Sequence, residues 1–237
     1  MSISLRTIKS QMTSFPKLLW LIRHGQSTAN LARHIAESEK ALTIDFPERE
    51  MDVSLSELGL KQAIAVGHWF EFQPQKPTLI FTSPYCRTLE TSRLIVENAA
   101  FENVEIIQDE RLRERELGIF DRLTRLGGMQ KYPDECEKRE RLGKFYYRPS
   151  GGENWADVAL RLRSFWRDLC LNFADEKVLI VTHEVVIRVF RYIVEKMTEE
   201  EIMAVDKAGD IENGAISFYQ FDTERNKLVL KLDNYLP

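Results

Sequence analysis

Arg23-His24-Gly25 closes an apolar run, KLLWLI at 17–22, and puts a cation beside an imidazole where a buried segment ends. Strand ends in α/β proteins are where ligands gather. A guanidinium next to a possible nucleophile suits an anionic substrate. The glycine that follows is expected to leave the approach to His24 free of side chains. His183 ends a second apolar run, KVLIVTH at 177–183, and Arg87 follows a third, TLIFTS at 78–83. Two histidines and two arginines thus share one kind of address. Each alone is more often structural, but three such junctions together predict an anion site with a nucleophile in it.

The elements that must position these groups are legible as apolar patterns. Continuous apolar runs of strand length predict buried strands at 17–22, 78–83 and 177–182, with a shorter one, VEII, at 104–107. Helices are expected over 54–72, where Ser56 is a capping residue and Leu60, Ala63, Ile64 and Gly67 mark a face, and over 83–99, opened by Ser-Pro. Two more are expected over 153–173 and 184–197. GAISFYQFD (214–222) and KLVLKLDNY (227–235), joined by a short polar turn, predict a terminal hairpin. Strands alternating with helices predict a three-layer α/β/α fold with a mainly parallel central sheet. If the first and fourth strands are parallel neighbours, His24 and His183 stand at one carboxyl edge, with Arg87 near them.

Composition narrows the function classes. With 237 residues, 43% hydrophobic, the chain is expected to form a single domain around one core. A net charge of −4 gives no bulk field for nucleic acid or an anionic membrane, so an anion site must be local. No apolar stretch is long enough to span a bilayer. Three cysteines, Cys86, Cys136 and Cys170, without C-x-x-C spacing, are expected to be free thiols in a reducing compartment, and a cytoplasmic location is expected. Residues 1–16 are Ser/Thr-rich and basic, a composition shared by organelle-targeting peptides; a polar N-terminal extension is the expectation. Residues 108–152, dense in charge, are expected to leave the sheet and cover the site.

Five ordered blocks resemble the histidine phosphatase superfamily, which includes the cofactor-dependent phosphoglycerate mutases. RHGQSTAN (23–30) resembles its opening R-H-G-x-[ST]-x-x-N, and DVSLSELGLKQA (52–63) its second block. TSPYCRTLETS (82–92) resembles S-x-x-x-R-x-x-x-T, RLRERELG (111–118) the block with the catalytic acid, and VTHEVVIR (181–188) the block with the second histidine. The resemblance implies a phosphoglycerate mutase-like fold and a metal-independent phosphomonoester hydrolase without cofactor. It implies that His24 is the nucleophile, passing through phosphohistidine, and that Glu114 is the acid. Arg23, Arg87 and His183 would hold the phosphoryl oxygens, and Ser27 and Asn30 would line the pocket. The partner is then a small-molecule phosphomonoester; oligomeric state is left open.

The departures define the alternatives. Glu184 stands where the family has glycine after its second histidine; it either reaches into the pocket or caps the following helix. Glu153, in GGENW, either faces the site or only opens the long helix. The stretch 119–150 is unlike the mutase insertion, which favours hydrolysis over mutase-type transfer. Its Lys144, Tyr146, Tyr147 and Arg148 either contact the substrate's far end or pack. A non-catalytic phosphate-binding protein would have no need of Glu114. A cysteine phosphatase using Cys86 would need a glycine-bearing phosphate loop that YCRTLETSR lacks.

Overall fold

The computed structural model describes residues 15–101 and 104–237. In chain order these form β1 (Leu18–Arg23), α1 (Thr28–Ser38), α2 (Glu57–Glu71), β2 (Leu79–Thr82), α3 (Cys86–Asn98) and β3 (Glu105–Gln108). There follow α4 (Arg125–Lys131), α5 (Pro133–Tyr146), α6 (Trp155–Asn172), β4 (Lys177–Thr182), α7 (Glu184–Val194), α8 (Glu199–Ala208), β5 (Ile216–Asp222) and β6 (Lys227–Tyr235). Most of the expected extension at 1–16 lies outside the described residues. Its last part already packs, Phe15 stacking on Trp166 with ring centroids 6.1 Å apart.

The strands form one six-stranded sheet in the order β3-β2-β4-β1-β5-β6. The first four are mutually parallel; β5 runs antiparallel to β1, and β6 antiparallel to β5, as the predicted hairpin requires. Side chains of β1 alternate between two cores, as the pleat demands. Leu18, Trp20 and Ile22 join Val66 and Phe70 of α2 and Ile95 of α3 on one face. Leu19 and Leu21 join Leu162 and Phe165 of α6 and Val186 and Phe190 of α7 on the other. The architecture is therefore the expected α/β/α sandwich with a mainly parallel central sheet.

Two local differences have physical reasons. The buried stripe of α2 is Gly59, Ala63, Val66, Gly67 and Phe70, whereas the expected face residue Leu60 is largely exposed. The helix is turned so that Gly67 can lie against Ile95 and Asn98 of α3, an approach that a Cβ would obstruct. Helices α1, α4, α5 and α8 are additions that apolar periodicity does not reveal; α5 buries only Phe145. Among apolar side chains α1 buries only Ala36, α8 only Ile202, and α4 buries two glycines. Short helices with so small an apolar stripe are held by caps and tertiary contacts rather than by pattern.

The register fixes which residues meet at the carboxyl edge of the sheet. Arg23 of β1 pairs with Thr182 of β4, and Thr82 of β2 pairs with Val181. The residues that leave these strands, His24, His183 and Ser83, therefore emerge side by side.

Candidate active site

His24 and His183 meet edge to face, with ring centroids 5.1 Å apart. Both are buried. The backbone N–H of His24 donates to the Thr182 carbonyl at 3.0 Å, and Asn213 Nδ2 donates to the His24 carbonyl at 3.0 Å. The imidazole Nδ1 lies 2.7 Å from the Gly25 carbonyl and Nε2 lies 3.2 Å from Arg87 Nε. A carbonyl and a guanidinium can be satisfied together by one tautomer only: Nδ1 carries the hydrogen and Nε2 keeps a lone pair. Burial first, then Arg87 and Arg23, hold the His24 pKa well below the usual imidazole value. The ring is thus neutral, with the Nε2 lone pair directed at the Arg87 guanidinium.

His183 Nε2 lies 2.9 Å from Ser83 Oγ, while its buried Nδ1 has no protein partner. Burial, then Arg87 and His24, keep it neutral too. The Tyr85 ring stands edge-on to His183 at 5.1 Å and lies under the Arg87 guanidinium at 4.9 Å. Arg23 places Nη1 3.3 Å from Glu184 Oε2 and donates to the Ile211 carbonyl, whereas its buried Nε has no protein partner.

Gly25 corrects an expectation. It does not keep the substrate's path open. A Cβ there would overlap the Gly59 carbonyl, and a Cβ on Gly59 would overlap the Gln26 carbonyl. The two glycines let the turn after β1 touch the first turn of α2, which sets the direction of His24.

Ser27 and Asn30 line the cleft, and they also form a reciprocal capping box on α1: Asn30 N donates to Ser27 Oγ and Ser27 N to Asn30 Oδ1, each at 3.1 Å. Glu114 is half-buried at the cleft wall and accepts from Arg115 N at 2.7 Å. Burial pushes its carboxyl above the usual range, a shift that the Arg115 N–H and Arg87 oppose and Glu184 adds to. That is the direction a general acid needs.

Glu184 neither caps α7 nor stands free. It bridges Arg23 to the buried Arg188, 3.0 Å away. Glu153 faces neither the site nor solvent. It binds Arg113 at 2.8 Å and Arg161 at 3.0 Å and accepts from Glu116 N at 3.2 Å. Arg161 also reaches the carbonyls of Arg111 and Glu114, so the pair clamps the loop that carries Glu114 onto α6. Sequence reasoning missed Arg161 and Glu50. Arg161 had a faint signal, two helical turns beyond Glu153; Glu50 had none. Of the candidate far-end contacts, Lys144 lines the cleft but is paired with Asp206 at 2.6 Å. Tyr147 is buried with its hydroxyl on Glu135, Arg148 binds Asp157, and Tyr146 is exposed. Burial and Glu90 raise the Cys86 thiol, so it is no thiolate nucleophile.

These side chains surround a cleft of about 400 Å³, a size suited to a small ligand. The sequence model of the histidine phosphatase superfamily (branch 1) matches residues 19–234. The chain belongs to that superfamily. It is 29% identical to a 2,3-bisphosphoglycerate-dependent phosphoglycerate mutase of Methylorubrum populi over 82% of this chain and 87% of that protein. It is 30% identical to the phosphoglycerate mutase-like protein AT74 of Arabidopsis thaliana over 83% of this chain and 63% of that protein. The fold matches a solved mycobacterial hydrolase at a TM-score of 0.74 and 24% identity, covering 93% of this chain and 99% of that one. It also matches the vanadate complex of a mycobacterial glucosyl-3-phosphoglycerate phosphatase at 0.69 and 24% identity, over 93% and 99%. No helix among the described residues is long and apolar enough to cross a membrane.

Proposed function

We propose that this protein is a phosphomonoester hydrolase that works through a phosphohistidine on His24. The observation that carries the reading is the state of His24: neutral, its Nδ1 hydrogen fixed on Gly25, its Nε2 lone pair facing Arg87. Nε2 attacks phosphorus, the bond to the leaving oxygen breaks, and Glu114 delivers its proton to that oxygen. Arg87, Arg23 and His183 bind the non-bridging oxygens. Arg87 exchanges its bond to Nε2 for one to the phosphoryl group as attack proceeds. Water then attacks the phosphohistidine, the Glu114 carboxylate takes its proton, and His24 is restored. The guanidinium groups supply the charge neutralisation, so turnover is expected to continue in the presence of chelator.

Mutase-type transfer has support in the relatives' names, since the same phosphoenzyme serves both reactions. A second cleft adjoins the first and shares Arg33, Arg115, Leu117, Arg139 and Lys144 with it, an open route for water that favours hydrolysis. The deciding experiment measures phosphate release from a panel of phosphomonoesters with chelator present, beside interconversion of 2- and 3-phosphoglycerate primed with 2,3-bisphosphoglycerate. Release of inorganic phosphate from the panel without interconversion supports the hydrolase; interconversion with negligible release overturns it.

A further inference from the structure

Glu184 opens α7 and Arg188 stands one helical turn later, so the two meet on one face of the helix, the acid on the N-terminal side, which is the favourable order. Arg188 is fixed independently of that pair. Its side chain is 2% exposed, and it donates to the carbonyls of Val205 at 3.3 Å and Gly209 at 2.6 Å, at the end of α8. Asp206 lies 3.6 Å from its Nε and is itself held by Lys144 of α5 at 2.6 Å. The Arg188 charge thus has two carbonyls and a second carboxylate besides Glu184. Arg188 is the rigid member of the pair, and what it holds in place is the Glu184 carboxylate, which lines the cleft.

That carboxylate is divided between two arginines. Oε1 lies 3.0 Å from Arg188 Nη2, and Oε2 lies 3.3 Å from Arg23 Nη1. A second acceptor, the Ile211 carbonyl, meets the same Arg23 nitrogen. It belongs to the loop between α8 and β5, which is pinned from both sides. Asn234 accepts from Glu212 N at 2.9 Å and donates to the Asp210 carbonyl at 3.1 Å, and Gly214 N donates to the Arg23 carbonyl at 3.1 Å. Both anchors therefore take Nη1, while the buried Nε of Arg23 has no partner among the described residues. An arginine side chain has many rotamers, and fixing it before a ligand arrives removes that ordering cost from binding. A glycine at 184, the residue of the family pattern, would leave Arg23 only the Ile211 carbonyl of these two anchors.

We propose that Glu184 is a positioning residue: anchored on Arg188, it holds Arg23 by Nη1 so that the Nε edge of the guanidinium faces a phosphoryl oxygen. Glu184 itself neither binds substrate nor moves a proton. The proposal rests on the hydrolase reading for turnover, and the binding of inorganic phosphate tests it separately.

Glu184→Asp keeps the charge but withdraws the carboxylate by one methylene, so that it no longer spans both arginines. We expect kcat/KM to fall about ten-fold, equally on 4-nitrophenyl phosphate and on alkyl phosphates, because the misdirected group holds the phosphoryl oxygens and not the leaving group. In the Arg23→Lys background, whose ammonium has no fork to orient, the same change is expected to cost less than about two-fold. Inorganic phosphate titrated by calorimetry into the wild type, both single variants and the double variant should show the same coupling, with melting curves verifying each fold. If Glu184→Asp fails to fold, Glu184→Gln is read through the same cycle. Undiminished kcat/KM in Glu184→Asp, or losses that simply add in the double variant, overturns the proposal. So does a loss confined to alkyl phosphates, which would make Glu184 a proton donor. Failure of the hydrolase reading shows separately, as no release of phosphate from 4-nitrophenyl phosphate by the wild type. The calorimetric cycle then decides alone, and additive effects or no phosphate binding overturns the positioning role.

Discussion

The Glu50 carboxylate lies 2.9 Å from Nη2 of Arg87, while the Glu50 carbonyl holds Nη1 at 2.7 Å. The fork that the proposed mechanism assigns to a phosphoryl oxygen is thus already occupied by an anionic group of the protein. Glu50 sits on a single 3-10 turn, Glu50–Asp52, with its side chain 41% exposed, so it can yield. Glu50→Gln removes the competing charge and keeps the shape. We expect inorganic phosphate to inhibit several-fold more tightly and KM to fall, with kcat little changed. A fall in kcat at constant phosphate affinity would instead make Glu50 the residue that orients Arg87.

His24→Ala is expected to lower turnover by at least about 10³-fold, the scale of losing a nucleophile. Rapid quenching of the wild type with labelled substrate should give an adduct stable in base and labile in acid. The variant should form none. A variant that retains comparable turnover would remove His24 from the mechanism.

The same burial makes stability depend on pH. Both His24 and His183 are held well below the imidazole value of 6.5 in the fold, so unfolding below about that pH takes up protons. Their contribution is therefore complete above pH 6.5 and is lost as pH falls toward the folded pKa values. Each histidine gives a slope of up to about 1.4 kcal/mol per pH unit in that window. Chemical denaturation between pH 5 and pH 8, a range chosen to bracket the imidazole value, should show the decline on the acid side, and His183→Gln should make it shallower. A flat profile would mean that the imidazoles titrate in the fold as they do in the unfolded chain.

Glu114→Gln should separate substrates by leaving group. An alkoxide needs the proton and a nitrophenolate does not. We expect losses of about 10²-fold or more on alkyl phosphates and much smaller ones on 4-nitrophenyl phosphate. Equal losses would place the acid elsewhere and leave Glu114 in a binding role.

Arg161 ties Glu153 to the carbonyls of Arg111 and Glu114. Arg161→Met leaves Glu153 with Arg113 and the Glu116 N–H and frees the loop that carries Glu114. A loss of roughly 1.5–3 kcal/mol in unfolding free energy is expected, the range for buried hydrogen bonds to charged groups. Activity on alkyl phosphates should fall more than activity on aryl phosphates, because the misplaced group is the proton donor. Unchanged discrimination between the two would confine the clamp to stability.

The candidate site residues His24, His183 and Arg87 were legible in the sequence because they follow strands whose burial writes itself as unbroken apolar runs. LLWLI, LIF and VLIV can sit only inside a covered parallel sheet, and the residues just beyond each run must then share one edge. The hairpin at the end and the capping of α2 by Ser56 were legible for the same reason: each depends on neighbours in the chain. Other features depend on pairs of distant residues and leave no local mark. Gly25 answers to Gly59, Arg87 to Glu50, Glu184 to Arg23, and Glu153 to Arg161. A charged side chain looks the same in sequence whether it is solvated, paired or aimed at a ligand. Only the tertiary structure decides which opposite charge comes within about 3 Å, and that decision leaves Arg33, Arg115 and Arg139, which line the cleft, without an ion-pair partner among the described residues.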